Sequence, residues 1–506
     1  MTALSNLSYG FQVALQPSNF LWSFIGVLIG NMVGVLPGMG TLAAISILLP
    51  LTYALNPVAA VLLLGGIFYG AQYGGAICSI LLNLPCHPSH AVTCIDGYPM
   101  TKKGMAGTAL GVTVIASFFA ASCGIIIMLL FSQQVVNVAL KFGAPEYFSA
   151  MLLGLLAGGT LSKGSPLKGV AMTVVGLLLG TVGMDIYTGR FRYTFGQLEL
   201  GDGIQLTALA MGLFGVSEFL RSVNKLKVIH SSARVRARDL WPKLSDLRQS
   251  FWPMVRGTLV GIVTGFLPAV GPTISSFISY SIEKKLAGKP ERFGHGAIEG
   301  VVSPEASTHA NVQIDFIPTM TLGIPGEAVM ALLLSALLIK GITPGPQLMG
   351  SHPDIFWGLI ASFWVGNVLL VIMNVPLIGV WVKLLAVPYR LLYPTALFFI
   401  CIGVWSTNDS LFDVGETLFF GVVGYILIAL QFEFAPVLLG LVLEPLVEEN
   451  FRRAMLLSHG DLRTFIDRPI SALFIGLCVL LILGQIFGRL WSRARRTPVA
   501  TEVPAE

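Results

Sequence analysis

A proline-centred heptapeptide occurs twice in this chain and limits what the chain can fold into. Gly34–Gly40 reads G-V-L-P-G-M-G and Gly265–Gly271 reads G-F-L-P-A-V-G, each within an apolar stretch. Each copy is followed downstream by a second break, centred on Pro85 and on Pro325. Lipid cannot pair the backbone groups that glycine and proline leave free, so such breaks are tolerated inside protein or along a polar cavity. The duplication predicts two related halves, each with two interrupted membrane segments, a pattern typical of secondary-transporter sites.

The composition requires a membrane environment. Charged residues make up 11% of the chain and apolar residues 54%, whereas soluble proteins carry about 25% charged residues. A spanning helix needs about 20 apolar residues, and we predict an all-α polytopic membrane protein with about eleven or twelve transmembrane segments, broken helices and re-entrant hairpins. The candidate segments lie near 20–38, 57–82, 107–131, 147–161, 167–185, 204–220, 254–275, 312–340, 355–383, 391–405, 415–443 and 469–488.

Charge divides the chain into its parts. The stretch from Arg221 to Arg256 carries nine basic residues against two acidic ones, and the positive-inside rule places it in the cytoplasm. Binding to lipid headgroups or a regulator is the alternative reason for such a run. We therefore predict a first transmembrane repeat over 20–220, a basic cytoplasmic linker over 221–253, a second repeat over 254–490, and a disordered cytoplasmic tail over 491–506. Whether the halves are inverted is left open by hydropathy.

The first break of each half has the chemistry of an anion site. A helix that stops and restarts presents free N–H groups and the positive end of a helix dipole. Gly38, Gly40 and Thr41 stand at the restart in the first half, and Thr273 follows Pro268 in the second. The structural alternative is a proline kink with glycines for close helix packing.

The second breaks are richer in polar residues, and we interpret both as tips of hairpins that enter the membrane and turn back. Intramembrane polar and ionisable residues are costly and usually functional, although the same residues could cap helix ends at the interface. In the first half they are Asn83, Cys86, His87, Ser89 and His90. In the second half they are Glu305, Thr308, His309, Asn311, Asp315, Gly326 and Glu327.

Two other chemistries are less favoured by the sequence. Cys86, His87, His90 and Cys94 do not have a familiar zinc-ligand spacing, so no metal site is predicted. The scatter of the six cysteines is poor evidence for a disulfide framework. A membrane-embedded hydrolase would need a motif such as H-E-x-x-H, which the chain lacks, so no enzyme is predicted.

Several long motifs resemble those of the large permease subunit of the tripartite tricarboxylate transporters, the TctA family, over roughly residues 20–445. The motifs are Gly34–Gly40, Tyr69–Gly75, Asp96–Met100 with Lys102-Lys103-Gly104, Pro304-Glu305-Ala306, Thr321–Gly326 and Pro344-Gly345-Pro346. The chain departs from the family pattern at Cys86-His87, at Thr308-His309 and over Val312–Asp315.

The resemblance implies a multi-pass carrier in the bacterial inner membrane, driven by an ion gradient. It also implies a small membrane subunit and a periplasmic solute-binding protein that delivers a small carboxylate, with no nucleic-acid partner and no cofactor beyond a coupling Na⁺ or H⁺. A passive anion channel and a membrane-embedded enzyme remain the alternatives.

Broken-helix chemistry and the resemblance together give the predicted site. The substrate is assigned to Gly38, Gly40, Thr41, Asn83, Cys86, His87, Ser89, His90, Thr308, His309, Gly326 and Glu327. The coupling ion is assigned to Pro37, Pro268, Thr273, Glu305, Asn311, Asp315 and Pro325. Because the first heptapeptide keeps the more open backbone, we expect the substrate there and the ion at the second copy.

Overall fold

The computed structural model describes residues 3–36, 40–160, 165–185, 187–222, 235–267, 270–385 and 389–494. Helices dominate these residues, and one two-stranded antiparallel ribbon joins them, β1 (Gly183–Met184) with β2 (Phe191–Arg192). The helices are α1 (Ala3–Ala14), α2 (Pro17–Val35), α3 (Thr41–Leu48), α4 (Pro57–Leu82), α5 (Ala91–Lys102), α6 (Ala106–Ala139), α7 (Ala144–Thr160), α8 (Pro166–Gly180), α9 (Leu206–Ala210), α10 (Ser217–Ser222), α11 (Leu244–Gly265), α12 (Pro272–Leu286), α13 (Glu299–Leu322), α14 (Ala328–Ile339), α15 (Leu348–Ser351), α16 (Pro353–Asn374), α17 (Ile378–Leu384), α18 (Tyr389–Asn408), α19 (Leu411–Ala429), α20 (Ala435–Leu457), α21 (Thr464–Asp467) and α22 (Pro469–Ala494).

The prediction of an all-α polytopic membrane protein is confirmed. Among the described helices, five are long and apolar enough to cross a bilayer: α2, α4, α6, α16 and α19. Shorter apolar helices accompany them, including α8 and α14. The hydropathy segments do not each correspond to one helix, because 312–340 covers the second half of α13, a break and α14. In the predicted tail, α22 continues to Ala494, and the rest lies outside the described residues.

Close backbone contact joins α2 to α4. Gly26, Gly30 and Gly34 of α2 lie against the carbonyls of Leu63, Ile67 and Ala71, in that order. The two helices therefore run parallel, and α3 must return towards the start of α4 to connect them. Since α2 ends at Val35 and α3 begins at Thr41, both buried, the two helices form a re-entrant hairpin.

The second half repeats this arrangement. Thr264 of α11 and Ser275 of α12 share a hydrogen bond of 2.7 Å, and Arg256 of α11 makes a two-point ion pair with Glu283 of α12. These contacts make α11 and α12 an antiparallel hairpin whose tip is the second heptapeptide. The hairpin packs on α13, where Ser275 also bonds Ser307 at 2.6 Å.

The two halves run in opposite directions. Phe68 of α4 packs on Phe316 of α13, with ring centroids 6.2 Å apart, and Tyr73 packs on His309 at 4.6 Å. As residue numbers rise along α4 they fall along α13, so these helices are antiparallel. The first hairpin consequently enters from the face where α4 begins, and the second from the opposite face, where α13 and α11 begin. We call the latter the linker face, because Arg221 and Leu244 flank the central linker there.

Asp96 ties the halves together near the linker face. Asp96 lies within α5. Its carboxylate accepts a hydrogen bond from the hydroxyl of Tyr280 and three from backbone N–H groups, those of Gly294, Gly296 and Ala297, at 2.8–2.9 Å. Buried, fully hydrogen-bonded carboxylates fix the geometry of the segments that donate to them.

On the face opposite the linker, the β1–β2 ribbon is attached to α20. Arg452 makes two hydrogen bonds to Asp185, at 3.1 and 3.0 Å, and these hold the pKa of the Asp185 carboxyl well below its ordinary range. Arg192 makes a similar two-point contact with Glu448. The ribbon is thus held by ion pairs outside the apolar segments.

We predict that Gly70→Ala destabilises the protein, because its β-carbon would collide with the backbone carbonyl oxygen of Val27. Overpacking of this kind costs about 1–3 kcal/mol, which should lower the thermal midpoint of the detergent-purified protein. Gly476→Ala is the matched control, since it lies on α22 with open space around it. Equal midpoints for the two variants would contradict the α2–α4 contact.

Candidate functional site

Each second break doubles back to mid-helix depth before a new helix begins. After α4 ends, the chain returns until Ser89 donates to Gln72 at 3.3 Å and His90 lies against Gly75. After α13 ends, the chain returns until Gly326 lies against the carboxylate of Asp315. A side chain at position 326 would overlap that carboxylate, so glycine is required there.

This geometry differs from the sequence interpretation in one respect. The hairpin tips are the two heptapeptides, whereas Glu305, Thr308, His309, Asn311 and Asp315 lie on the uninterrupted helix α13. Pro304 and Pro318 stand inside that helix without ending it. Neighbouring helices and side chains can satisfy the backbone groups that such prolines free.

All four breaks line one cavity of about 620 Å³. Gly40 and Thr41 come from the first heptapeptide region, His87 and Pro88 from the break after α4, Gly271 and Thr273 from the second heptapeptide region, and Gly326 and Glu327 from the break after α13. The rest of the wall includes Phe214, Glu218 and Arg221 near the end of α10 and the turn over 431–436. The cavity therefore lies between the two halves, on the side of the linker face.

Four helices begin at this cavity. Their first residues or the residues before them line it: Gly40 before α3, Gly271 before α12, Glu327 before α14 and Phe434 before α20. None of these four starts has a side-chain cap. The first N–H groups of a helix have no partner within the helix and carry its positive dipole end. Converging helix starts of this kind can hold an anion.

Side chains add further polar groups to the wall. Arg221 brings a guanidinium that lies 3.6 Å from the carboxylate of Glu218. Thr41, the first residue of α3, and Thr273, the second residue of α12, bring hydroxyls from the two halves. His87 is 7% exposed, and its Nδ1 lies 2.8 Å from the hydroxyl of Ser89, which orients the ring.

A separate cluster of polar side chains is buried behind the cavity, where α5 meets α13. Thr93 donates to the carboxylate of Glu305, and His90 lies 3.8 Å from the same carboxylate. His309, one turn further along α13, contacts the Glu305 carbonyl through Nδ1 at 2.9 Å. Glu305, His90 and His309 are at most 1% exposed, so this group has no direct access to the cavity.

The predicted site residues therefore separate by position, and their roles stay predictions. Gly40, Thr41, His87, Thr273, Gly326 and Glu327 line the cavity. Cys86, Ser89, His90, Glu305, Thr308, His309, Asn311 and Asp315 are buried outside its wall, as is Pro325, while Asn83 ends α4 in a left-handed conformation. Pro37, Gly38 and Pro268 lie outside the described residues.

The cysteine pairing was not anticipated. Cys78 and Cys86 are joined by a disulfide, with Cα atoms 6.4 Å apart. No sequence pattern indicates this pairing, because residue 86 reaches residue 78 only when the chain doubles back. The described residues hold no group of three or more His, Cys, Asp and Glu arranged as a metal site.

Sequence reasoning also missed the part of the wall formed by Phe434 and Pro436 at the start of α20 and by Phe214 and Arg221. Pro436 at the first turn of a helix was the available signal. It carries no information about which distant segment it faces.

Comparison with known proteins places the chain among transporters. A family model described as "Tripartite tricarboxylate transporter TctA family" matches residues 20–439. An uncharacterized 52.8 kDa protein in the TAR-I ttuC' 3'region of Agrobacterium vitis is 50% identical over 486 residues, 96% of this chain and 97% of the relative. An uncharacterized protein in the TAR-II ttuC' 3'region of the same organism is 52% identical over 226 residues, 44% of this chain and 93% of the relative. No solved structure matches the chain.

We predict that the cavity is reached from the linker face. In a background with the free cysteines replaced, Thr273→Cys should react with a membrane-impermeant maleimide from the same side as Lys243→Cys, at the start of α11. Asp202→Cys, exposed near the opposite face, should react from the other side. Ser279→Cys, which is 1% exposed against α13, is the unreactive control. Labelling of Thr273→Cys from the Asp202 side alone would contradict the placement.

Proposed function

The chain belongs to the tripartite tricarboxylate transporter TctA family, and we propose that it is the large membrane permease subunit that imports a di- or tricarboxylate. The proposal treats the 620 Å³ cavity as the substrate site. That volume is within the range of about 300–1,000 Å³ usual for small-molecule pockets.

The observation that carries this proposal is the meeting of four uncapped helix starts in one cavity. A di- or tricarboxylate has several negative groups spaced along a short chain, and each can be hydrogen-bonded by a different helix start. The hydroxyls of Thr41 and Thr273 and the guanidinium of Arg221 supply further donors. Apolar residues such as Phe214 and Leu439 cover the carbon skeleton.

The inverted arrangement of the halves supports a carrier rather than a pore. In inverted-repeat transporters the substrate lies at the repeat interface, and access alternates as one unit moves against the other. Here the cavity lies at that interface, on the side of the linker face. We propose that an ion gradient, of Na⁺ or H⁺, drives the movement. The family description further supports a small membrane subunit and a periplasmic binding protein as partners.

The bacterial inner membrane is the proposed location, with the linker and the C-terminus in the cytoplasm. Contacts between helices support a common side for these two segments. Ser149 of α7 bonds Ser471 of α22 at 2.7 Å, and Arg468 pairs with Glu146, so α7 and α22 run parallel. Lys168, at the start of α8, donates to Leu430 beside the cavity, so α7 ends and α8 begins on the cavity side. Because α22 runs parallel to α7, the end of α22 is at the linker face too. The cavity then faces the cytoplasm.

The test is uptake into proteoliposomes that contain this chain with its two proposed partners, using labelled succinate and citrate. We expect accumulation above the external concentration under an imposed ion gradient, abolished by an ionophore. Equilibration without accumulation would identify a passive channel, and conversion of the label to another compound would identify an enzyme.

We predict that Thr41→Val and Thr273→Val each lower uptake at subsaturating substrate by about tenfold. Losing one hydrogen bond to a charged group costs about 1.5–3 kcal/mol, and 1.4 kcal/mol corresponds to about tenfold in affinity. Thr407→Val is the control, since that hydroxyl bonds Gly403 within α18. Unchanged uptake in both cavity variants would place the substrate elsewhere.

A further inference from the structure

An acidic group in the wall of an anion cavity needs an explanation. Glu327 lines the cavity at the start of α14, and its Oε1 atom is buried without a hydrogen-bond partner among the described residues. The carboxylate of Glu327 also lies close enough to that of Asp315 for the two to interact electrostatically. Two carboxylates beside a carboxylate substrate repel it in a weakly screened environment. A cation between them would weaken this repulsion.

The surroundings of these two carboxylates form a closed circle of contacts. Asn311 lies one helical turn before Asp315 on α13, and its amide nitrogen donates to the carbonyl of Val270 at 3.0 Å. Gly271, the next residue, lies against the Glu327 side chain, and Gly326 lies against Asp315. The circle therefore joins the second hairpin tip, the middle of α13 and the start of α14.

Three oxygen atoms in this circle are buried and unpartnered. They are Oδ1 of Asn311, Oδ2 of Asp315 and Oε1 of Glu327. Asn311 is fully buried and Asp315 is 2% exposed, and no described Lys or Arg forms an ion pair with either carboxylate. Buried polar atoms normally have a partner, and these three oxygens are free to accept one that is positively charged.

We propose that Asn311, Asp315 and Glu327 bind a sodium ion at the wall of the cavity. An oxygen-only donor set selects hard cations. Sodium, magnesium and calcium all prefer oxygen ligands, and the measurement below separates them. This assignment moves Glu327 from substrate binding to cation binding and gives the second heptapeptide the ion, at its Val270 carbonyl.

The sodium site also explains how the gradient and the substrate are linked, a step that rests on the proposed function. With the ion bound, the two carboxylates repel a carboxylate in the cavity less strongly, so each ligand strengthens the binding of the other. Thermodynamic coupling of this kind is reciprocal. Substrate should therefore lower the sodium concentration needed for half-saturation by the same factor as sodium lowers the substrate concentration needed.

The test measures sodium binding alone, on the full chain purified in detergent with no carboxylate present. The thermal midpoint is followed as NaCl replaces choline chloride at constant ionic strength. We expect a saturable rise for the wild type, because a ligand that binds only the folded state stabilises it. KCl should give a smaller rise, and millimolar MgCl₂ or CaCl₂ none.

Asp315→Asn and Glu327→Gln should each abolish the sodium-dependent rise. Glu449→Gln is the matched control, because it removes a carboxylate from an exposed ion pair with Arg453 on α20 and should keep the full response. Should the two neutralised variants fail to fold, Glu327→Asp keeps the charge but shortens the side chain, and it should raise the half-saturating sodium concentration about tenfold.

Three results would overturn the site: no sodium response in the wild type, a response that persists in both neutralised variants, or an equal response to a divalent ion. A shift produced by protons but not by sodium would likewise reassign the carboxylates to proton binding and overturn it. Adding succinate or citrate then tests the proposed function separately. A sodium response without any effect of either carboxylate keeps the cation site and refutes the coupling to these substrates.

Discussion

The positions of the helix breaks depend on the need to pair backbone polar groups in a medium without water. Four breaks interrupt the apolar helices, and each break must lie inside protein or at a cavity. The fold meets this requirement by placing all four at one point between two antiparallel halves. The cavity is the place where the starts of α3, α12, α14 and α20 meet, and its proposed use as an anion site rests on that meeting.

The pairing of elements explains why the breaks converge. Glycines bring α2 against α4 at backbone distance, and α11 packs on α13 in the same way, with Gly257 and Gly261 against Ser303 and Ser307. Each hairpin tip is thereby held beside the middle of a crossing helix. Because the two crossing helices are antiparallel, the two tips arrive at the same depth from opposite faces.

Local sequence patterns predicted the breaks but not what surrounds them. The repeated heptapeptide and Thr41 located the restart of α3, since proline and glycine have fixed backbone consequences. The course of α13 could not be predicted, because Pro304 and Pro318 are tolerated only through contacts with other helices. The contribution of Phe434 and Arg221 to the cavity, and the approach of Cys78 to Cys86, also depend on the tertiary path. Such long-range proximity leaves no periodic signal in a single sequence.

The glycine contacts have a mechanical consequence. Where two backbones touch directly, no side chain is available to change rotamer and absorb a displacement. The α2–α4 pair and the α11–α13 pair are therefore each rigid. The two pairs meet through side chains of α4 and α13, at Phe68 with Phe316 and at Tyr73 with His309. Side chains can change rotamer where backbones cannot, so these contacts constrain the two helices less tightly than the glycine contacts do. Each hairpin is therefore positioned first by the crossing helix of its own half.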